Sequence, residues 1–330
     1  MPRLPEYLKR PIIDTEKTKT VRRILKTKCL NTVCEGARCP NKSECYSHNT
    51  ATFLIMGNVC TRNCRYCNIS SAKPEPLDLN EPKHIAEAVK ELGLKYAVIT
   101  SVTRDDVEDG GAEHFKNCVD EIRKICNAKI EILTPDFKPR DLAPQEKPHP
   151  LPSLSPQETS LPPNGCCGRE QSFKESLYPS LKGRGKMFSP LDTIIKANPD
   201  CFNHNIETVK ALFSTARPQG NYDWSLEVLR YIKNNSSIVT KSGLMVGLGE
   251  TFAQIEETLC DLKNAGVDIV TIGQYIQPSK AHLEVSKFYT LEEFEELKTL
   301  ARKVGFKNYQ IGPLVRSSYH AMNSFNEMNP

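Results

Sequence analysis

An α/β fold of repeated βαβ units, closing into a barrel or partial barrel, is what this 330-residue chain predicts. Two observations carry that expectation. The length is ordinary for a single α/β barrel, and by itself suggests one large domain or two modest ones. From Ala51 onward, short β-rich runs alternate with amphipathic helical stretches, the pattern of parallel strands joined by right-handed helical crossovers.

The elements follow in order. TFLIMG at 52–57 reads as a buried strand. Residues 80–94 read as a helix capped by Asn80, with Ile85, Val89 and Leu92 on one face. YAVITSV at 96–102 is the next strand, followed by a helix through Phe115, Cys118, Val119, Ile122 and Ile125. Strands are expected at 130–133 and 201–204, helices at 206–214 and 224–233, and a strand at 239–246. A helix at 251–264, a strand at 267–273, a helix at 291–303 and a strand at 308–312 complete the pattern. In a barrel of this kind, chemistry belongs at the carboxyl ends of the strands.

One stretch departs from it. Between Asp141 and Ser189, eight of 49 residues are proline and no helical or strand period is sustained. Such a segment buries too little apolar surface to offset its ordering entropy, so it reads as an inserted surface loop ending near a helix that starts around Leu191. The adjacent Cys166 and Cys167 inside it are poor chelators and read as incidental.

The 44 Lys and Arg nearly cancel the 40 Asp and Glu, which argues against nucleic acid or an anionic membrane as the main partner. No uncharged apolar run approaches the ~18 residues of a membrane span. The expectation is a soluble, unexported, cytoplasmic protein. Of 13 cysteines, six fall in two tight groups between residues 34 and 67, which in a reducing compartment points to metal rather than disulfides.

The second group is NVCTRNCRYCNIS, with Cys60, Cys64 and Cys67 spaced C-x3-C-x2-C and Tyr66 before the last thiol. Zinc prefers a closed set of four ligands, which a distant His48 or Cys45 would have to complete. A four-iron, four-sulfur (4Fe-4S) cluster held by three thiolates instead keeps one iron open to a cofactor or substrate. The first group, CEGARCPNKSEC, supplies Cys34, Cys39 and Cys45 as C-x4-C-x5-C; a zinc knuckle completed by Cys29 is the alternative there.

The C-x3-C-x2-C loop, its aromatic residue and its place after the first barrel strand resemble the radical S-adenosylmethionine (SAM) enzymes. Joined to the upstream tripod and to VRSSYHA near the carboxyl end, they resemble the lipoyl synthase family. TSVTRDDVEDGGAEHF, FNHNIETV, ARPQGNYDWSLEVL, TKSGLMVGLGET and TIGQYIQPSKAHL resemble family motifs in the same order, so the likeness runs from about Val33 to Ala321, the proline-rich stretch excepted.

The resemblance implies a partial (β/α)6 TIM-like barrel over residues 51–306, an N-terminal extension (1–50) carrying an auxiliary cluster motif, and a C-terminal segment (307–330) with the Arg316-Ser317-Ser318-Tyr319 motif. It implies two 4Fe-4S clusters. Cys60, Cys64 and Cys67 would bind the one that cleaves SAM. Cys34, Cys39, Cys45 and Ser318, with Ser317 as the alternative, would bind the auxiliary one. An alkoxide is a hard donor beside soft sulfides and comparatively easy to displace, which suits a cluster that is dismantled.

By the same resemblance Tyr66, Thr100, Ser101, Asn203, His204, Asn205, Gly247, Gly249, Glu250 and Gln274 line the SAM pocket, with Tyr275 nearby and Arg104 and Asp106 shaping the site. Asp105 and Asp109 read as loop polarity, and His84 and His114 as structural. The implied reaction inserts two sulfur atoms at carbons 6 and 8 of an octanoyl-lysine. Implied partners are the octanoylated lipoyl carrier domains of 2-oxoacid dehydrogenases and glycine cleavage H protein, with flavodoxin or ferredoxin as electron donor. Another radical SAM sulfur-inserting enzyme, or a zinc-stabilised protein without catalysis, are the alternative readings.

Overall fold

The computed structural model describes residues 4–11, 13–48, 50–137, 188–319 and 321–326. Most of the proline-rich stretch, with Cys166 and Cys167, lies outside the described residues. The strands are β1 (Asn31–Thr32), β2 (Thr52–Ile55), β3 (Val59–Cys60), β4 (Ser70–Ser71), β5 (Tyr96–Ser101), β6 (Lys129–Leu133), β7 (Cys201–Asn203), β8 (Val239–Val246), β9 (Ile269–Gln274) and β10 (Asn308–Gly312). The helices are α1 (Glu16–Thr27), α2 (Val33–Gly36), α3 (Lys42–Ser47), α4 (Glu81–Glu91), α5 (Ala112–Ile125), α6 (Ser189–Ala197), α7 (Lys210–Ala216), α8 (Tyr222–Asn235), α9 (Phe252–Asn264), α10 (Leu291–Val304) and α11 (Ala321–Asn326).

Eight strands form the main sheet in the order β1-β2-β5-β6-β7-β8-β9-β10. All neighbours from β2 to β10 are parallel, and the short β1 runs antiparallel to β2. Six strand-helix steps precede β10, so the barrel is a (β/α)6 arrangement with a seventh parallel strand from the C-terminal segment. The strands bury both faces, as βαβ crossovers require, with Phe53, Ile99, Ile132, Phe202, Val246 and Ile272 among the inaccessible residues.

Helix starts follow local chemistry. Capping boxes open α1 at Thr15 with Thr18, α9 at Thr251 with Gln254, and α10 at Thr290 with Glu293. Asn221 caps α8, and Gly305 ends α10 in the left-handed region.

Three expectations need correction. Asn80 stands at the N-cap of α4 but makes no side-chain cap bond; its own N–H instead donates to the Asp78 carboxylate at 2.8 Å. Residues 206–209 are not helical, because Glu207 forms a bridge beside Leu244 of β8 and α7 begins only at Lys210. The proline-rich stretch does not run to Ser189. Ser189 opens α6, and Phe188 is buried and stacked on Tyr231 with ring centroids 4.2 Å apart. Helix α1, unforeseen from the sequence, packs Val21, Ile24 and Leu25 into the core.

Among the described residues β10 pairs only with β9, so hydrogen bonding does not close the sheet into a full barrel. Side chains bridge the seam instead. Asn41 Nδ2 donates to Leu314 O at 2.7 Å, and Tyr319 Oη donates to Glu44 Oε1 at 2.8 Å. The N-terminal extension thereby lies against the segment after β10. Inside the sheet, Glu131 of β6 and Lys241 of β8, both inaccessible, pair at 3.2 Å. Tyr96 Oη and Asn203 Nδ2 also donate to Glu131, at 2.8 and 2.9 Å.

Candidate functional site

The chain turns sharply at the end of β2. Met56 takes a positive φ of 65°, its N–H donating to Glu81 Oε2 at 2.8 Å and its carbonyl accepting from Arg104 Nη1 at 3.2 Å. His114 contacts the same Glu81 oxygen at 2.7 Å, so this histidine is a buried structural partner. The turn delivers Cys60, Cys64 and Cys67 to the carboxyl ends of the strands.

This loop is held from several strand ends at once. Arg62 forks onto Asp105 through Nε and Nη2, both at 2.7 Å, and its Nη1 reaches both oxygens of Asp136 at 2.7 and 2.8 Å. Asp136 is inaccessible and also faces Arg217 at 3.5 Å. Burial alone would raise its pKa, but the two guanidiniums prevail and hold it down to about 2. Arg65 N donates to Ala216 O and Leu283 N to Arg65 O, each at 2.9 Å. His282, whose Nδ1 faces Ser279 Oγ, donates from Nε2 to Cys67 O at 2.9 Å.

The three thiols share one loop, and among the described residues no group of three His, Cys, Asp or Glu is drawn together to hold a single metal ion. Cys60 Sγ accepts backbone N–H groups from Arg62 at 3.4 Å and Thr103 at 3.3 Å. Burial pushes the Cys67 thiol up to about 12 and raises Cys64 as well, so loading the loop must release protons. Tyr66, Cys64 and Glu207 lie together, and burial raises the Glu207 carboxyl pKa while Arg217 opposes it.

At the strand ends, buried polar atoms lack protein partners: Ser101 Oγ on the last residue of β5, Thr134 Oγ1 after β6, Asn203 Oδ1 on the last residue of β7, whose amide nitrogen bonds Glu131 within the sheet, and His204 Nε2 after β7. Buried groups without a protein partner take one from outside the chain, a water or a ligand. His204 places Nδ1 3.1 Å from Thr134 O, which makes Nδ1 the donor and leaves Nε2 an acceptor. Burial and then the charge of Arg217 lower its pKa to about 4, so the ring is neutral at neutral pH.

A second, small cavity lies at the seam. Cys34, Cys39, Cys45, Asn41, Thr50, Ala51, Thr52, Arg316, Ser318 and Tyr319 line it. Residues 273 positions apart thus meet where the first tripod expects a fourth ligand. Burial pushes Cys34 up to about 11 and Cys45 to about 12. Of the two serines, Ser318 lines this cavity, whereas Ser317 Oγ lies 2.7 and 3.0 Å from the Asn205 amide. Cys29 is exposed and outside the lining, and the exposed His48 rests on Glu44 O.

Several residues expected at the cofactor also hydrogen-bond the backbone. Gln274 is inaccessible; its Nε2 reaches Val246 O, Tyr275 O and Lys287 O, and its Oε1 accepts from Tyr289 N at 2.9 Å. Glu250 accepts the N–H groups of Gly247 at 2.6 Å and Leu248 at 2.9 Å, tying its own turn together. A Cβ on Gly247 would lie 2.2 Å from Gln274 Nε2. Thr100 Oγ1 donates to Leu133 O at 3.0 Å, and Tyr275 Oη to Leu283 O at 2.8 Å. Gly249 adopts a φ of 112° two residues further on. Asp106 holds Arg104 at 2.8 Å, and Asp109 caps α5 through Gly111 N and Glu113 N.

Sequence reasoning missed Arg62, Asp136, Glu207 and Arg217. Arg62 lies inside the cysteine motif, but its partners are 43 and 74 residues away, so spacing held no signal for them.

A three-cysteine loop that follows the first parallel strand of a partial barrel is the arrangement of the radical SAM class. Residues 54–156 match the Radical SAM superfamily model. HydG, a maturase of the FeFe-hydrogenase, shares the fold with a TM-score of 0.50 at 13% identity, covering 88% of this chain and 63% of that one. The chain is 41% identical over 320 residues to a lipoyl synthase of Caldanaerobacter subterraneus subsp. tengcongensis, covering 97% of this chain and 96% of that protein. It is 45% identical over 321 residues to lipoyl synthase 2 of Gloeobacter violaceus, covering 97% and 95%. The chain belongs to the lipoyl synthase family. No helix among the described residues is long and apolar enough to cross a membrane.

Proposed function

We propose that this chain inserts two sulfur atoms at carbons 6 and 8 of a protein-bound octanoyl-lysine, giving a lipoyl group. The observation that carries this reading is the meeting of Cys34, Cys39 and Cys45 with Ser318 in one cavity, separate from the Cys60, Cys64 and Cys67 loop. A radical enzyme acting on an unactivated methylene needs a radical source and a sulfur donor within reach of each other, and two distinct donor sets answer that need.

Cys60, Cys64 and Cys67 would hold the 4Fe-4S cluster that the radical SAM class implies. Cys34, Cys39, Cys45 and Ser318 would hold an auxiliary one. When bound, these groups and SAM supply a hydrogen-abstracting 5'-deoxyadenosyl radical and sulfide for the new carbon-sulfur bonds. The protein's own part is orientation. Arg62, Asp105 and Asp136 fix the cysteine loop against the ends of β5 and β6, and His282 and Leu283 strap it from the β9 side. Ser101, Thr134, Asn203 and His204 offer the free polar atoms that would receive SAM. With Nδ1 held by Thr134 O, neutral His204 presents Nε2 as an acceptor without adding charge beside a cationic cofactor.

Octanoylated carrier domains of 2-oxoacid dehydrogenases and glycine cleavage H protein are the substrates of this reading, with a flavodoxin or ferredoxin as reductant and the cytoplasm as the compartment. The test separates the two tripods. Cys60→Ala should abolish SAM cleavage, whereas Cys34→Ala should keep part of it and lose sulfur insertion. Undiminished cleavage in Cys60→Ala would sink the assignment.

A further inference from the structure

Ser318 stands in the seam cavity because the segment that carries it is laid unusually close to the sheet. Two glycines make that possible. A Cβ on Gly273 of β9 would lie 2.1 Å from Val315 O and 3.1 Å from Val315 C, and one on Gly243 of β8 would lie 2.4 Å from Thr271 Oγ1, 2.9 Å from Asn205 Oδ1 and 3.2 Å from Ser317 Oγ. Neither glycine has a positive φ. Their requirement is therefore close approach rather than backbone freedom, and the nearest atom over Gly273 is backbone, which cannot rotate away.

The segment is pinned along its length. Leu314 O accepts from Asn41, Arg316 Nη1 turns back to Val315 O at 2.7 Å, and Ser317 is held by the Asn205 amide. Tyr319 N closes a turn onto Arg316 O at 2.9 Å, and Tyr319 Oη reaches Glu44. Ser317 faces the sheet over Gly243, and its neighbour Ser318 turns to the three cysteines.

We propose that Gly243, Gly273 and Ser317 form a cradle that positions Ser318 at the Cys34, Cys39 and Cys45 tripod, with Ser317 as a positioning residue and not a ligand. The proposal rests on the auxiliary-cluster reading given above. Gly273→Ala would push the Val315 carbonyl outward by about 1 Å to restore ordinary contact, and with it the turn bearing Ser318.

The test uses the full chain with Cys60, Cys64 and Cys67 all replaced by Ala, so that only the N-terminal tripod can load. After anaerobic reconstitution with iron and sulfide, iron per chain, the Mössbauer signature of the unique iron and its loss to a chelator are measured. Gly273→Ala should release iron about 10-fold faster than its parent, the scale for loss of an outer-shell partner, and should shift the unique-iron signature toward that of Ser318→Ala. Ser317→Ala, which adds no bulk, should fold normally and shift both readouts in the same direction by a smaller factor.

If Gly273→Ala fails to fold, Ser317→Ala decides the matter. A parental signature and chelator resistance in Ser317→Ala overturn the cradle, as does a parental result from folded Gly273→Ala while Ser318→Ala is altered. A parent that loads no iron at all removes the auxiliary-cluster reading itself, and the cradle with it.

Discussion

Arg62 and Asp136, 74 residues apart, form a buried ion pair in which one guanidinium nitrogen reaches both carboxylate oxygens at 2.7 and 2.8 Å. The pair joins the cysteine loop to the end of β6, and the Trp224 indole N–H fixes the Asp136 carbonyl at 2.7 Å from the α8 side.

Asp136→Asn should therefore leave Arg62 and Arg217 underpaired and lower stability by roughly 3 kcal/mol, the scale for breaking a buried pair. The sign in pH follows from a carboxyl held near 2, below its ordinary value. Its contribution of about 2 kcal/mol is present above pH ~4 and fades as the pH falls toward 2. Urea unfolding of both proteins across that range measures it; equal stability at pH 7 would show that the pair does not hold the loop.

His204 gives a second pH dependence, in a higher window. Its ring is held neutral, with its pKa lowered to about 4, so the unfolded chain takes up the proton first. Stability is complete above pH ~6.5 and declines by about 3 kcal/mol between there and pH 4. His204→Gln should flatten that part of the profile in the metal-free chain, and an unchanged slope would place the titrating group elsewhere.

The Glu131–Lys241 pair inside the sheet calls for a cycle of variants. Lys241→Met and Glu131→Gln each strand a buried partner, and the first should cost roughly 3–5 kcal/mol, whereas the two together should recover much of that loss. Additive losses in the double variant would mean that the two groups do not interact.

Phe188→Ala should destabilise the fold by about 3 kcal/mol, because the ring is buried between Tyr231 at 4.2 Å and Trp224 at 5.4 Å. Replacing residues 141–187 with a short linker, which spares Phe188 and α6, should keep activity; a shift in denaturation midpoint as large as that of Phe188→Ala would contradict this boundary.

Much of this was legible in the sequence, and the divide is physical. Strand-helix alternation is a local pattern, so Thr52–Ile55, Tyr96–Ser101 and Asn308–Gly312 fell close to expectation. The cysteine tripods are written in spacing. Which serine faces the tripod is not, because Ser317 and Ser318 differ only in what lies beneath them, and that depends on Gly243 and Gly273 in distant strands. Gln274 and Glu250 lie at strand ends, where a ligand contact is a fair expectation, yet their polar atoms hold the backbone of Gly247, Leu248, Lys287 and Tyr289. Helix α1 carries an uninterrupted buried face of Thr18, Val21, Ile24 and Leu25 with its charged residues exposed on the other side, so its pattern was present in the sequence, ahead of the strand-helix alternation that begins at Ala51.

The most direct test is mass spectrometry of an octanoyl-lysyl carrier peptide after incubation with the anaerobically reconstituted chain, SAM and a reductant. Two sulfur atoms in place of two hydrogens on the octanoyl chain is the predicted product. SAM cleavage with no sulfur gained would contradict the pairing of the two tripods in one reaction.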